Sequence, residues 1–347
     1  MKALVWYGKN DTRVEEREEP QIEKGKVKIN VKWAGICGSD LHAYQHGIGV
    51  QVDTPHIVSG QKAPLVLGHE FSGVVAELGE GVEGLSVGDR VAIEPMYQCG
   101  KCENCKKGNY NLCEGFGFVG LNGDGGFADY IVVDPYMIHK IPDNVTFEQG
   151  ALIEPTAVAV YAVRQSKQKV GDTVAVFGVG PIGLLTILAA KAAGAARIIA
   201  VDISKERLNK AMEVGATHII NSLEENPEEV IISEYGGVNV AYEVAGVQQT
   251  LTNSINVLKK GGEVMVISLF SEPAKIDLFS MINRDISIKT SCVYRHIFPE
   301  VIRMISNGIL DVNQVVTKKT TLENIVEEGF EALINDKSHA KILIQVS

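Results

Sequence analysis

The chain has 347 residues, with 33 Lys and Arg against 43 Asp and Glu, for a formal net charge of −10. Its 45% hydrophobic and 22% charged residues exclude a disordered or fibrous chain, and the length suggests about two domains. An acidic excess with no cluster of Lys and Arg excludes a sequence-independent grip on nucleic-acid phosphates.

No targeting segment is expected. Residues 3–8 are too short for a signal-peptide core, and Lys9, Asp11 and Arg13 follow at once. Residues 173–190 carry no charge, but Gly178, Gly180, Pro181 and Gly183 interrupt them, which predicts strand, turn and helix rather than a membrane span. A cytoplasmic protein without membrane association is expected.

Residues 1 to about 150 read as all-β. Residues 27–32 alternate apolar and polar, and the β-branched runs at 71–78 and 90–94 are separated by Gly79, Gly81, Gly84 and Gly88. No helical period of useful length precedes residue 148. From Thr173 the pattern alternates: strand 174–177, helix 182–193, strand 198–201, helix 205–214 and strand 218–220. Further strands are predicted at 238–244, 263–268 and 286–290, so the region should form a parallel sheet with right-handed crossovers. After Cys292 only a helix at 299–307 and a strand at 341–346 are predicted. That tail is expected to return to the first domain.

Gly178-Val179-Gly180-Pro181-Ile182-Gly183 matches GxGxxG. It follows an apolar strand, opens a helix, and precedes Asp202 by nineteen residues, at the end of the next strand. That context is the dinucleotide-binding fingerprint. Gly178 permits the tight turn, Gly180 admits the pyrophosphate, and Gly183 lets helix and strand pack. The helix N-terminus, with Pro181 and Ile182, faces the phosphates. Asp202 suits two ribose hydroxyls and would repel a 2′-phosphate, favouring NAD over NADP. Arg207 is placed to flank the adenine.

Four of the six cysteines lie within fifteen residues, as Cys99-x2-Cys102-x2-Cys105-x7-Cys113. Four thiolates suit a closed structural zinc site. An iron–sulfur cluster fits the spacing poorly, and disulfides do not suit a cytosolic chain. A second, dispersed set comprises Cys37, His69, Glu70 and Glu154: one thiolate, one imidazole and two carboxylates, a mixture able to hold zinc with a position open.

Taken in order, GICGSDLH, GHEFSGVV, the four-cysteine segment, GALIEP and VAVFGVGPIGLL resemble the zinc-containing medium-chain dehydrogenases over nearly the whole chain. Glu70 and Glu154 resemble the polyol and butanediol branches. The insertion between Leu41 and His69, and the segment Tyr294-Arg295-His296-Ile297-Phe298-Pro299 followed by Val316-Thr317-Lys318-Lys319, resemble the butanediol branch most. The resemblance implies a GroES-like β domain (residues 1–155 and 293–347) and a doubly wound parallel Rossmann sheet (156–292), an α/β protein overall, with the active site in the cleft between them. It implies two zinc ions per subunit, catalytic at Cys37, His69 and Glu154, structural at the four cysteines. Glu70 is either a further ligand or an outer carboxylate. The implied reaction interconverts 2,3-butanediol and acetoin by zinc-assisted alkoxide formation and hydride transfer to NAD. Sorbitol, or another vicinal diol, is the alternative substrate. Ser39 and His42 match the family's proton relay, and Arg295 is a candidate contact for cofactor or substrate. A homo-oligomer, dimer or tetramer, is expected, with strand 263–268 and its neighbours pairing across a two-fold axis. Asp40 reads as a turn residue, His56 as a loop histidine, Glu94 as a strand end, Cys292 as buried packing and residues 224–229 as a solvated acidic face.

Overall fold

The computed structural model describes all residues, 1–347. It contains two units. The first comprises Met1–Glu154, Phe298–Ser306 and Val316–Ser347; the second comprises Pro155–Ile297 and Asn307–Val315.

In the first unit the spine is the strand Val27–Gly35, whose alternating Val27, Ile29 and Val31 are fully buried. It pairs antiparallel with Glu70–Leu78 on one side and with Tyr130–Val133 and Lys341–Gln345 on the other. The chain's last strand thus lies in the first unit, and Val316–Thr321 runs parallel to it. Phe71, Phe127, Phe330, Ile342 and Ile344 fill the core beneath.

The first 150 residues are not all-β. A helix, Gly38–His46, stands where none was expected. Its buried residues are Asp40, Ala43 and Tyr44, too few and too mixed to write an apolar period into the sequence. Its ends define it instead. The Asp40 carboxylate accepts the Cys37 N–H (2.9 Å), and Gly47 closes the helix in the left-handed region at φ 70°.

The second unit is a six-stranded parallel sheet. Its spatial order is His218–Asn221, Arg197–Asp202, Thr173–Phe177, Val238–Glu243, Leu258–Val266 and Ser287–Thr290. Counted along the chain this is 3-2-1-4-5-6, the doubly wound order, and the switch point lies between Thr173–Phe177 and Val238–Glu243. The helix Pro227–Tyr235, which had no period to announce it, is set by its Asn226 cap, Pro227 and Gly236. Glu228 and Glu229 of the acidic run occupy its first turn, where the helix dipole favours negative charge. The strand expected to pair across a two-fold axis, Leu258–Val266, is interior; its neighbour Ser287–Thr290 forms the sheet edge. No helix is long and apolar enough to cross a membrane.

Candidate active site

Cys37 is the N-cap of the helix Gly38–His46. His69 leads into the strand Glu70–Leu78. The ligand atoms of Cys37, His69 and Glu70 all lie within 4.8 Å of one another. His69 and Glu70 are buried, at 4% and 1% exposure. Glu154, buried in the first turn of Ile153–Gln165, stands outside that group of three.

Asp40 is the residue that sequence reasoning misjudged. It is completely buried, and its Oδ1 lies 3.4 Å from His69 Nδ1. Neither atom has a hydrogen-bond partner of its own. A carboxylate behind Nδ1 fixes the imidazole's orientation and leaves Nε2 for a metal. Burial alone pushes the His69 pKa down, but the Asp40 and Cys37 anions lift it well above the ordinary value. A thiol, an imidazole backed by a buried carboxylate, and the Glu70 carboxylate within 4.8 Å form a donor set that a divalent cation would satisfy. Ser39 Oγ is 3.1 Å from His69 Nε2, inside this pocket. His42 lies one turn further along the same helix and is exposed, its ring 6.3 Å from that of His46.

Behind Glu70 is a second unforeseen residue. Lys341, 1% exposed, pairs through Nζ with Glu70 Oε2 and donates to the Ile36 carbonyl at 2.7 Å. Glu70 and Lys341 start the strands on either side of Gly35. A Cβ on Gly35 would collide with Glu70 Oε2 and lie 3.1 Å from Lys341 Cε.

The four clustered cysteines form a separate group, with their sulfurs within 4.8 Å of one another. None forms a disulfide, and Cys99 Sγ to Cys105 Sγ is 4.0 Å. That is close to the ~3.8 Å edge of a tetrahedron with ~2.3 Å zinc–sulfur bonds, and about twice a disulfide length. Backbone N–H groups of Cys99, Cys102, Cys105 and Gly115 point at the sulfurs from 3.2 to 3.4 Å. The N–H donors of Cys105 and Glu114 lower the Cys102 pKa to about 6, whereas burial raises Cys105 to about 12. Nearby Glu94 has a structural role, accepting from Tyr110 Oη and His139 Nε2 at 2.7 Å each. His56 is likewise buried within its loop, where Nδ1 accepts the Ser59 N–H. Cys292 is exposed, not buried packing: it lies just past the end of the edge strand Ser287–Thr290.

In the second unit, a cleft of about 880 Å³ is lined by Gly178, Gly180, Asp202, Arg207, Ala245 and Thr250, among others. Gly178 has φ +91°, and a Cβ there would press on Ala245 at 2.9 Å. A Cβ on Gly183 would collide with the Gly178 carbonyl, so the helix Pro181–Ala192 sits directly against the turn. Gly180 faces open space at the helix N-terminus, as a phosphate cradle requires. Asp202 Oδ2 accepts the Val179 N–H at 2.8 Å, and Oδ1 accepts those of Ile203 and Ser204. Arg295 lies apart from this cleft's lining, its guanidinium 5.8 Å from the centre of the Tyr161 ring.

A doubly wound sheet with an open phosphate turn, and a β unit carrying a Cys–His–Glu cluster, define the class: a metal-dependent dehydrogenase. Comparison with known proteins agrees. Residues 23–143 match the family model "Alcohol dehydrogenase GroES-like domain", and residues 181–307 match "Zinc-binding dehydrogenase". The (R,R)-butanediol dehydrogenase of Bacillus subtilis (strain 168) is 47% identical over 99% of both chains. The sorbitol dehydrogenase of the same organism is 36% identical, over 99% of this chain and 97% of that one. A crystal structure of 2R,3R-butanediol dehydrogenase from Bacillus subtilis superposes with a TM-score of 0.95, covering 99% of each chain. Two more distant structures hold different coenzymes. A zinc-binding dehydrogenase from Sinorhizobium meliloti 1021 (29% identity, TM-score 0.91, 99% and 98% covered) is bound to NADP. An alcohol dehydrogenase from E. coli CFT073 (31%, 0.91, 99% of each) is complexed with NADH. The chain belongs to the zinc-binding alcohol dehydrogenase family, with a GroES-like domain and a Rossmann-type domain.

Proposed function

We propose that this chain is a zinc-dependent, NAD-linked secondary alcohol dehydrogenase that interconverts 2,3-butanediol and acetoin, with R configuration at the reacting carbon. The observation that carries the substrate is the 47% identity to a butanediol dehydrogenase across 99% of both chains. Sorbitol dehydrogenases, at 36–38%, support the polyol alternative less well.

Cys37 and His69, with Glu154 and Glu70, would hold a catalytic zinc, and the four clustered cysteines a structural one. The donor types support this, as does the close grouping of Cys37, His69 and Glu70 and of the four cysteines; Glu154 enters through the resemblance alone. Bound there, zinc would supply Lewis acidity that lowers the pKa of an alcohol hydroxyl, while NAD would supply the hydride acceptor. The remaining chemistry belongs to the chain. Asp40 holds the His69 ring so that Nε2 faces the pocket. Ser39 Oγ takes the substrate's proton and passes it toward His42, whose exposed ring releases it to solvent. The helix N-terminus at Gly180, Pro181 and Ile182 binds the coenzyme pyrophosphate. Asp202 accepts the adenosine-ribose hydroxyls, and Arg207 flanks the adenine.

The chain is further proposed to be cytoplasmic and homo-oligomeric, as a dimer or tetramer. Six unbridged cysteines fit a reducing compartment. The unpaired edge Ser287–Thr290 and the exposed Leu269, Phe279 and Ile282 fit a subunit interface.

Steady-state rates with butanediol, acetoin, sorbitol and threonine test the substrate. Fast turnover of the diol and acetoin is expected, and negligible acetoin reduction beside fast sorbitol oxidation would overturn the proposal. Asp202→Ala should lower kcat/KM for NAD about 10–100-fold, because a charged acceptor is lost, and should narrow the preference over NADP. Paired kinetics with the two coenzymes check it. Cys113→Ser should remove one zinc per chain and lower the melting temperature by roughly 5–10 °C, read by metal analysis and calorimetry.

A further inference from the structure

We propose that Glu243 is a positioning residue for coenzyme binding, acting through the loop that supports the phosphate turn. The inference rests on reading the cleft of the second unit as the coenzyme site. Glu243 ends the strand Val238–Glu243, in register with Phe177, so it stands at the carboxyl end of the sheet at its switch point. Its side chain is fully buried, and its donors are backbone N–H groups and hydroxyls rather than a lysine or arginine. A buried carboxylate without a counter-ion is costly unless its oxygens are saturated by donors.

Here the donors come from two different segments. Oε1 accepts the N–H groups of Ala245 (3.0 Å) and Gly246 (2.9 Å) and the Thr250 hydroxyl (2.7 Å). Oε2 accepts the Ser268 hydroxyl, from the loop after the neighbouring strand. The carboxylate therefore fixes the loop 244–247 against the loop at 268. Val244, Ala245, Val247 and Thr250 line the cleft. Ala245 is also the residue on which Gly178 rests: a Cβ at Gly178 would lie 2.9 Å from Ala245 Cβ and 3.0 Å from its nitrogen. The Val244 N–H bonds the Phe177 carbonyl at 2.9 Å, directly before that turn. Glu243 thus sets the floor under the phosphate turn without itself lining the cleft. Loss of the carboxylate would free Ala245 and let the turn shift from the geometry a pyrophosphate needs.

The test uses the full-length protein as wild type, Glu243→Ala and Ser268→Ala. NADH affinity is measured by fluorescence titration, with steady-state kinetics in NAD and 2,3-butanediol. Glu243→Ala should raise the NADH Kd and the KM for NAD about 10–100-fold, and Ser268→Ala about three- to tenfold. In both, kcat at saturating NAD and KM for the diol should stay within about threefold of wild type. A lowered kcat with unchanged KM for NAD would show a merely structural role and overturn the proposal, as would wild-type NADH affinity in both variants. If Glu243→Ala does not fold, Ser268→Ala decides by the same split. Failure of the wild type to bind NADH or NADPH overturns the coenzyme reading, and this inference with it, before any variant is measured.

Discussion

Cys37→Ala and His69→Ala are each expected to lower kcat/KM for butanediol about 10³–10⁴-fold and to remove one equivalent of zinc per chain, if these residues hold the proposed catalytic zinc. The magnitude follows from the role. Lewis-acid polarisation of an oxygen is worth several kcal/mol, and each ~1.4 kcal/mol is a factor of ten in rate. Cys37 contributes the only soft donor among Cys37, His69 and Glu70, and His69 is the donor whose orientation Asp40 fixes. Affinity for NADH, proposed to lie with the second unit, should not change. Metal analysis, kinetics and fluorescence titration on the same preparations check all three statements. A variant that lost both activity and NADH binding would point to a folding defect instead.

The second large effect is on stability. Lys341→Met leaves Glu70 buried at 1% exposure with no counter-charge. Removing one partner of a buried pair typically costs about 3–5 kcal/mol, which corresponds to a melting-temperature drop of roughly 6–20 °C for a unit of this size. Calorimetry on metal-depleted protein is the appropriate measurement, because a bound cation would stand in for the ammonium. The double variant Glu70→Gln/Lys341→Met should recover most of the loss, since no charge is then left buried. An unchanged melting temperature in Lys341→Met would show that the pair carries no weight. Gly35 belongs to the same device. It lies between the two strands, and its missing side chain is what lets the carboxylate and the ammonium meet.

These two cases show what was legible in the chain and what was not. The doubly wound sheet could be read because its signals are local: a strand, a glycine turn, a helix and an acid at a known distance. The four-cysteine group was similarly local, all within fifteen residues. Cys37, His69 and Glu70 stood out by residue type, although nothing in their spacing required them to meet. Asp40 did not stand out, because an aspartate three residues after an N-cap reads equally well as a turn. Only its complete burial behind His69 distinguishes it. Lys341 lies 271 residues from Glu70 (341 − 70), and its partner follows from sheet register, which one sequence does not display. Glu243 carried a weak signal, an acid closing a mostly apolar strand just before Val-Ala-Gly. The helix Gly38–His46 was hidden because its ends, not an apolar stripe, define it.

The most direct test removes the proposed catalytic metal alone. The wild-type protein would be titrated with a chelator while zinc content and butanediol oxidation are followed in the same samples. A closed four-thiolate site should keep its ion longer than an open Cys–His–carboxylate site. Turnover should therefore fall in proportion to the first equivalent of zinc lost per chain, and return when zinc is added back. Full turnover after that equivalent has left Cys37 and His69 would contradict the account.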